Sequence, residues 1–164
     1  MIILKTNNEL KLMREANRII AVVLADIADK IKPGVSTFEL DKWAEECISS
    51  YDAKPAFKGY GGEYRKFPAT LCTSINEEVV HGIPSKERVL IEGDIIGIDV
   101  GTLYKGFYGD GAYTYPAGKV TDDIMGFLST CEDALNLGVH QAKSGNRVND
   151  ISIAIDRHVR AQGF

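Results

Sequence analysis

Residues 94–115 of the chain read DIIGIDVGTLYKGFYGDGAYTY, a stretch of two alternating segments with a short turn sequence between them. Apolar residues alternate with others over residues 94–103, which is typical of a strand with one buried face. Lys105-Gly106 supplies a turn, and alternation resumes over residues 107–115. The stretch is therefore predicted to form a β-hairpin.

Asp99 and Asp110 lie on the two strands of this predicted hairpin. A two-residue turn would pair Tyr104 with Phe107 and make the aspartates diagonal neighbours, about 7–8 Å apart at Cα. A register two residues different would place them directly opposite each other. Like charges on one face repel unless a cation or a proton intervenes, and hard divalent metals prefer carboxylate oxygens. The spacing leaves two interpretations open: a metal site, or aspartates of which one or both simply face water or end a turn.

A helix pair is predicted before the hairpin. Thr6 with Glu9, and Ser36 with Glu39, have the spacing of capping boxes, which mark helix starts. Lys32-Pro33-Gly34 lies between the two helices and interrupts the helical pattern. These features predict two helices joined by a short turn.

A second helix pair is predicted after the hairpin, beginning at Thr121 and near Asn149. We expect the first of these helices to bury an apolar stripe formed by Ile124, Phe127, Cys131, Leu135 and Val139. When the two pairs are superposed, Lys32-Pro33-Gly34 falls on Lys143-Ser144-Gly145. The shared pattern predicts an internal repeat, and its alternative is a coincidence of two helical hairpins.

Composition restricts the class of protein. The chain has 164 residues, of which 45% are hydrophobic and 26% charged, as in an ordinary globular domain. Its net charge of −4 argues against binding driven by nucleic-acid phosphates. No apolar run is long enough to span a membrane, and residues 1–5 are too short for a secretory core. The cysteines form no CxxC motif and predict reduced thiols in a cytoplasmic protein; they are Cys47, Cys72 and Cys131.

Several side chains before the hairpin could carry chemistry. His81 is predicted between a strand and a Gly-Ile-Pro turn, where an imidazole can donate to or accept from a substrate, or can be structural. Cys72 lies in a strand predicted over residues 69–75, and we interpret it as a buried thiol rather than a nucleophile. Three aromatic residues either line a pocket or pack: Tyr60, Tyr64 and Phe67.

Three motifs together resemble a known family. Residues 72–84 read CTSINEEVVHGIP, residues 93–101 read GDIIGIDVG, and residues 106–110 read GFYGD. Their order and spacing resemble those of type I methionine aminopeptidases, the bacterial cytosolic form, and the resemblance extends from Glu9 to Phe164.

The resemblance implies an α/β (α+β) pita-bread fold, also called creatinase/aminopeptidase-like, in which two similar halves hold a dinuclear metal site. On that basis residues 1–116 are expected to be the first half, and residues 117–164 the helical start of the second. Together they would form a single incomplete catalytic domain.

The resemblance also assigns roles to individual residues. Asp99 and Asp110 match two aspartate ligands of two divalent metal ions (Co, Mn, Fe or Zn), and Asp110 would bridge both ions. His81 matches the catalytic histidine that contacts the scissile amide of the substrate. The pocket for the methionine side chain would be formed by Tyr60, Phe67 and Cys72. Residues 63–66 form an insertion relative to the commonest form of that loop.

The implied reaction is removal of the initiator methionine from nascent peptides with a small second residue, close to the ribosome, by metal-assisted hydrolysis. The family takes one further His and two Glu ligands, and a second active-site His, from its second half. Neither His140 nor His158 lies in a matching motif. We therefore expect an incomplete metal site and little or no peptidase activity from this truncated chain alone.

Two other functions stay open at this point. One is a catalytically incompetent pita-bread binding module. The other is a different pita-bread hydrolase, resembling an Xaa-Pro aminopeptidase or creatinase. No direct nucleic-acid partner and no membrane partner are expected in any of these cases.

Overall fold

The computed structural model describes residues 3–63 and 65–164, and contains four helices and four strands within those ranges. In chain order they are α1 Asn7–Ala28, α2 Thr37–Ser49, β1 Lys54–Pro55, β2 Leu71–Ile75, β3 Ile95–Tyr104, β4 Phe107–Pro116, α3 Asp122–Gln141 and α4 Val148–Ala161. Met1, Ile2 and Tyr64 lie outside the described residues, so the pocket role considered for Tyr64 stays a prediction. The chain divides into two compact units, residues 1–119 and 120–164.

Capping boxes begin both helices of the first unit, as predicted. The backbone N–H of Thr6 donates to the Glu9 carboxylate at 2.7 Å, and the Glu9 N–H donates to the Thr6 hydroxyl at 3.3 Å. Ser36 and Glu39 repeat this exchange at 2.9 and 3.3 Å. Because each box satisfies backbone donors that have no partner within the helix, it fixes where that helix begins.

The sheet is built around β3. β4 pairs with one edge of β3 over its whole length, while β2 and β1 share the other edge. Lys105 and Gly106 have φ angles of +46° and +86°, so they form the two-residue turn that suits the twist of a hairpin. Tyr104 consequently pairs with Phe107, and the predicted register is confirmed.

One face of β3 forms the core of the first unit. Ile96, Ile98 and Val100 are fully buried, in a cluster with residues of α1 and α2. Each such side chain contributes roughly 1.5–3 kcal/mol to folding. A shift of one residue would exchange the two faces, so this burial determines that Asp99 points away from the core.

Glycines in β4 allow α1 to lie against that strand. A Cβ at Gly109 would lie 2.6 Å from the backbone of Ala16, and one at Gly111 would lie 2.9 Å from the Ile20 side chain. Since successive residues of a strand face opposite sides, Asp110 between them points away from α1.

The second unit consists of α3 and α4, and here the predicted apolar stripe is wrong. The buried residues of α3 are Thr130, Ala134 and Gly138, whereas Leu135 and Val139 are 60% and 61% exposed. A Cβ at Gly138 would lie 2.9 Å from the Ile155 side chain of α4. The two helices therefore pack through small residues. A search of the sequence for large apolar side chains does not detect such a contact. No helix in the described parts of the chain is long and apolar enough to cross a membrane.

Candidate functional site

Asp99 and Asp110 lie diagonally on one face of the β3–β4 hairpin. Asp99 pairs with Ala112 and Asp110 with Gly101, the arrangement predicted for a two-residue turn. Both aspartate side chains line the same cavity. The two carboxylates therefore share a face of the sheet, as a common cation would require.

The two aspartates differ in their surroundings: Asp99 is half-buried and Asp110 is exposed. Burial raises the pKa of Asp99, and the charge of Asp110 raises it further, while the charge of His81 and a hydrogen bond from the Val100 backbone lower it. The ionised form of Asp99 is thus disfavoured on balance. A cation placed between the carboxylates would remove that penalty.

Cys72 forms the wall of the site beside Asp99, which is its direct cross-strand partner on β3. The thiol is free and buried. Burial, followed by the charges of Asp99 and Asp110, raises the pKa of Cys72 to about 11. The thiol is therefore protonated near neutral pH, and the interpretation of a buried thiol is confirmed.

One cavity of about 740 Å³ is lined by all six residues to which the family resemblance assigned a role. They are Tyr60, Phe67, Cys72, His81, Asp99 and Asp110. The lining combines the two carboxylates with aromatic rings and the apolar residues Ile83 and Pro68, and it also includes the basic residues Arg65 and Lys66. This volume is in the range of pockets that hold small molecules or the end of a peptide.

Phe57 also lines the cavity, and sequence reasoning missed it. Its ring meets that of Phe67 edge to face, with centroids 6.5 Å apart. A Cβ at Gly101 would lie 2.5 Å from the Phe57 ring, so the aromatic wall depends on this glycine. A glycine inside a strand, opposite a candidate ligand, is the signal that could have indicated such a close approach.

His81 is carried by the loop that follows β2 and has a φ angle of +61°. This left-handed conformation costs a residue other than glycine on the order of 1–3 kcal/mol. The next residue, Gly82, is bound to β2: its carbonyl accepts from the Thr73 N–H at 2.8 Å, and its N–H donates to the Ser74 hydroxyl at 3.3 Å. A Cβ at Gly82 would lie 2.1 Å from the Thr73 carbonyl oxygen, so only glycine fits.

The two carboxylates are the kind of ligand that a hard divalent cation prefers, but they are fewer than such a cation normally binds. Asp99 and Asp110 offer carboxylate oxygens on one face, which such cations prefer. Within residues 3–63 and 65–164, no group of three or more His, Cys, Asp or Glu side chains is placed to hold a metal ion. Within those residues the site therefore offers a cation two carboxylate groups, fewer than a hard divalent cation normally binds.

Sequence comparison assigns the chain to a protein family. The profile of metallopeptidase family M24 matches residues 11–164. The chain belongs to metallopeptidase family M24. Methionine aminopeptidase 1 of Bacillus subtilis is 48% identical over 164 residues, and the methionine aminopeptidase of Clostridium acetobutylicum is 45% identical over 164 residues. Each alignment covers 100% of this chain and 64% of the relative, so the chain spans about 64% of the length of these M24 proteins.

Solved structures agree with the family assignment. Methionine aminopeptidase from Thermotoga maritima superposes with a TM-score of 0.94 at 37% identity, over 99% of this chain and 64% of that one. An Xaa-Pro dipeptidase from Bacillus anthracis superposes with a TM-score of 0.82 at 23% identity, over 98% of this chain and 42% of that one, and shares the fold alone. The predicted α/β pita-bread fold of the M24 family is confirmed.

Proposed function

We propose that the chain carries the aspartate part of a dinuclear metal site in a methionine aminopeptidase, an enzyme that removes the initiator methionine from nascent polypeptides. The observation that carries this proposal is the convergence of Asp99, Asp110 and His81 on one cavity. The identity of 45–48% with proteins named methionine aminopeptidase supports the choice of reaction.

Asp99 and Asp110, which line the same cavity, would hold two divalent metal ions. When bound, the ions supply Lewis-acid polarisation of the peptide carbonyl. His81, at the same cavity, would hydrogen-bond the amide of the scissile bond and orient it. An imidazole ring carries two nitrogens, so the side chain can donate or accept a hydrogen bond in that contact, according to its tautomer.

Methionine recognition would come from the apolar part of the cavity. Tyr60, Phe67 and the protonated thiol of Cys72 offer aromatic and sulfur surfaces, which suit an unbranched thioether. The partner is a nascent peptide with an amino-terminal methionine and a small second residue, met in the cytoplasm near the ribosome. No nucleic-acid or membrane partner is part of the proposal.

The chain by itself is proposed to be nearly inactive. Two carboxylates do not fill the coordination of two divalent ions, and no motif in the 164 residues matches the family's other His and Glu ligands. We therefore expect weak metal binding and little turnover from the chain in isolation. A complementary polypeptide would be needed for full activity.

The test combines the chain with the portion of the Bacillus subtilis relative that it does not span. Release of methionine from a Met-Ala-Ser peptide is measured with Co, Mn, Fe or Zn, each supplied separately. We expect turnover from the mixture or from a fusion of the two parts, and its loss in Asp99→Asn. Glu46→Gln, which removes an exposed charge on α2, is the matched control and should retain turnover. Robust turnover by the chain alone would contradict the proposed incompleteness of the site.

A non-catalytic binding module is the second candidate, because the described residues hold no group of three metal-binding side chains. Binding of a divalent metal to the folded state must raise the melting temperature of the chain, by linkage. A melting temperature indifferent to millimolar Co, Mn, Fe and Zn would favour the binding module. Turnover of Xaa-Pro peptides by the fusion would instead favour the other hydrolase class.

A further inference from the structure

The side chain of Arg88 spans the loop that carries His81. One guanidinium nitrogen, Nη1, donates to the carbonyl oxygen of Ile83 at 2.8 Å. The other, Nη2, forms an ion pair with the carboxylate of Glu78. That same carboxylate oxygen accepts from the backbone N–H of Ile75, at the end of β2, at 2.9 Å. A single planar group therefore joins both sides of the loop around His81.

The backbone of Arg88 is itself held in place. Its carbonyl accepts from the N–H of Thr37 at 2.9 Å, at the first residue of α2. Two residues on, the N–H of Leu90 donates to the carbonyl of Val35, also at 2.9 Å. Leu90 is fully buried in the core of the first unit. The guanidinium thus reaches the loop from a fixed base.

His81 needs such support because of its backbone conformation. Its φ of +61° is unfavourable for a side chain other than glycine, and persists only where surrounding contacts impose it. Gly82 supplies contacts on one side, through Thr73 and Ser74 of β2. On the other side, the contacts are the ion pair of Arg88 with Glu78 and its hydrogen bond to the Ile83 carbonyl.

We propose that Arg88 is a positioning residue that holds His81 in its left-handed conformation at the cavity. The inference rests on the substrate-binding role proposed for His81. Arginine suits the task because its rigid fork donates to two acceptors at once, whereas the single ammonium of lysine cannot reproduce that geometry. Arg88 is not itself among the residues that line the cavity, and it reaches the lining only through the backbone carbonyl of Ile83, so it would act through the loop.

The test is nuclear magnetic resonance of the metal-free chain, which needs neither metal nor substrate and so separates this inference from the proposed function. A positive φ brings the amide and α protons of one residue close together and gives His81 a strong NOE between them. In Arg88→Ala we expect that NOE to weaken. We also expect hydrogen exchange at the Thr73 and Gly82 amides to accelerate about tenfold or more, because an ion-paired hydrogen bond is lost.

Control variants distinguish positioning from general destabilisation. Arg18→Ala breaks another arginine ion pair, with Glu15 on α1, and should leave the His81 NOE unchanged. Arg88→Lys and Glu78→Gln, which are milder, should each show part of the local effect if Arg88→Ala does not fold. The proposal is overturned if the folded Arg88 variants keep the NOE and the exchange protection. It is overturned equally if exchange accelerates by the same factor in β3, since that would mark a purely global role.

Discussion

Replacing Asp110 with asparagine is expected to stabilise the metal-free chain and to abolish its response to divalent metal. The charge of Asp110 raises the pKa of Asp99, so the two carboxylates repel each other when both are ionised. Asparagine keeps the shape of the side chain and removes the charge. The same substitution removes a proposed metal ligand, so the gain in apo stability and the loss of metal binding are expected together.

The size of the stabilisation follows from the register. Unit charges about 7 Å apart, the spacing of diagonal residues on one sheet face, repel by roughly 0.6 kcal/mol in water and roughly 2.4 kcal/mol at an effective dielectric near 20. Because Asp110 is exposed and Asp99 half-buried, the lower value applies more closely. We expect the free energy of unfolding at pH 7 to rise by about 0.5–1 kcal/mol.

The pH dependence of this effect has a definite sign. The pKa of Asp99 is raised in the folded state above its ordinary value of 3.8, so the folded chain holds that proton more tightly than the unfolded chain. The stability contributed by Asp99 is complete below pH 3.8 and is lost as the pH rises through the folded pKa. The advantage of Asp110→Asn should therefore vanish in acid, grow above that pH, and level off towards neutrality.

Urea unfolding with a chelator present measures the effect, at pH 7 and again in acid. Glu46→Gln removes one exposed charge from α2, away from the cavity, and should change stability by less than about 0.5 kcal/mol. Thermal melts with added metal then test the second half of the prediction. If Asp110→Asn is less stable than the parent in the metal-free state at pH 7, the two carboxylates do not oppose each other and the argument fails.

Three further predictions concern the frame of the site. Gly109→Ala should destabilise the first unit by about 1–3 kcal/mol in urea unfolding, because the new Cβ meets the Ala16 backbone. The control is Gly126→Ala on α3, whose new Cβ meets nothing within 4 Å. This substitution should stabilise α3 by roughly 0.5–1 kcal/mol. Gly82→Ala should lower the free energy of unfolding and loosen the contact of the His81 loop with β2, which faster hydrogen exchange at the Thr73 amide would show. Unchanged exchange would mean that the loop is not held by β2. The buried Cys72 should resist a thiol reagent at pH 8 until the chain unfolds, while the exposed Cys131 reacts at once; equal rates would show that the cavity wall is open.

The hairpin and its aspartates were predictable because their determinants are local. The Lys105-Gly106 turn sets the pairing of the strands, and the alternation of Ile96, Ile98 and Val100 sets which face is buried. Once both are known, the face of the sheet on which Asp99 and Asp110 lie follows without tertiary information. The capping boxes were predictable for the same reason, since each involves residues three apart.

The features that sequence reasoning missed depend on contacts between distant segments. Phe57 joins the cavity because Gly101, far along the chain, leaves room for its ring. Arg88 matters because its side chain reaches back to Glu78, and nothing in the local pattern indicates that direction. The buried face of α3 was mispredicted because close helix packing there uses Gly138, and hydrophobicity alone gives a glycine little weight.

The balance of energies in the hairpin explains how the fold can hold two like charges together. Three fully buried side chains, Ile96, Ile98 and Val100, contribute roughly 5 kcal/mol or more to the register of β3. The repulsion between Asp99 and Asp110, about 0.5–1 kcal/mol, is far too small to shift that register. The strands therefore cannot relieve the repulsion by moving, and it persists until a proton or a cation enters. A cation that bound there would gain the relief of that repulsion in addition to its own coordination, so the core residues on one face of β3 preorganise the proposed metal ligands on the other.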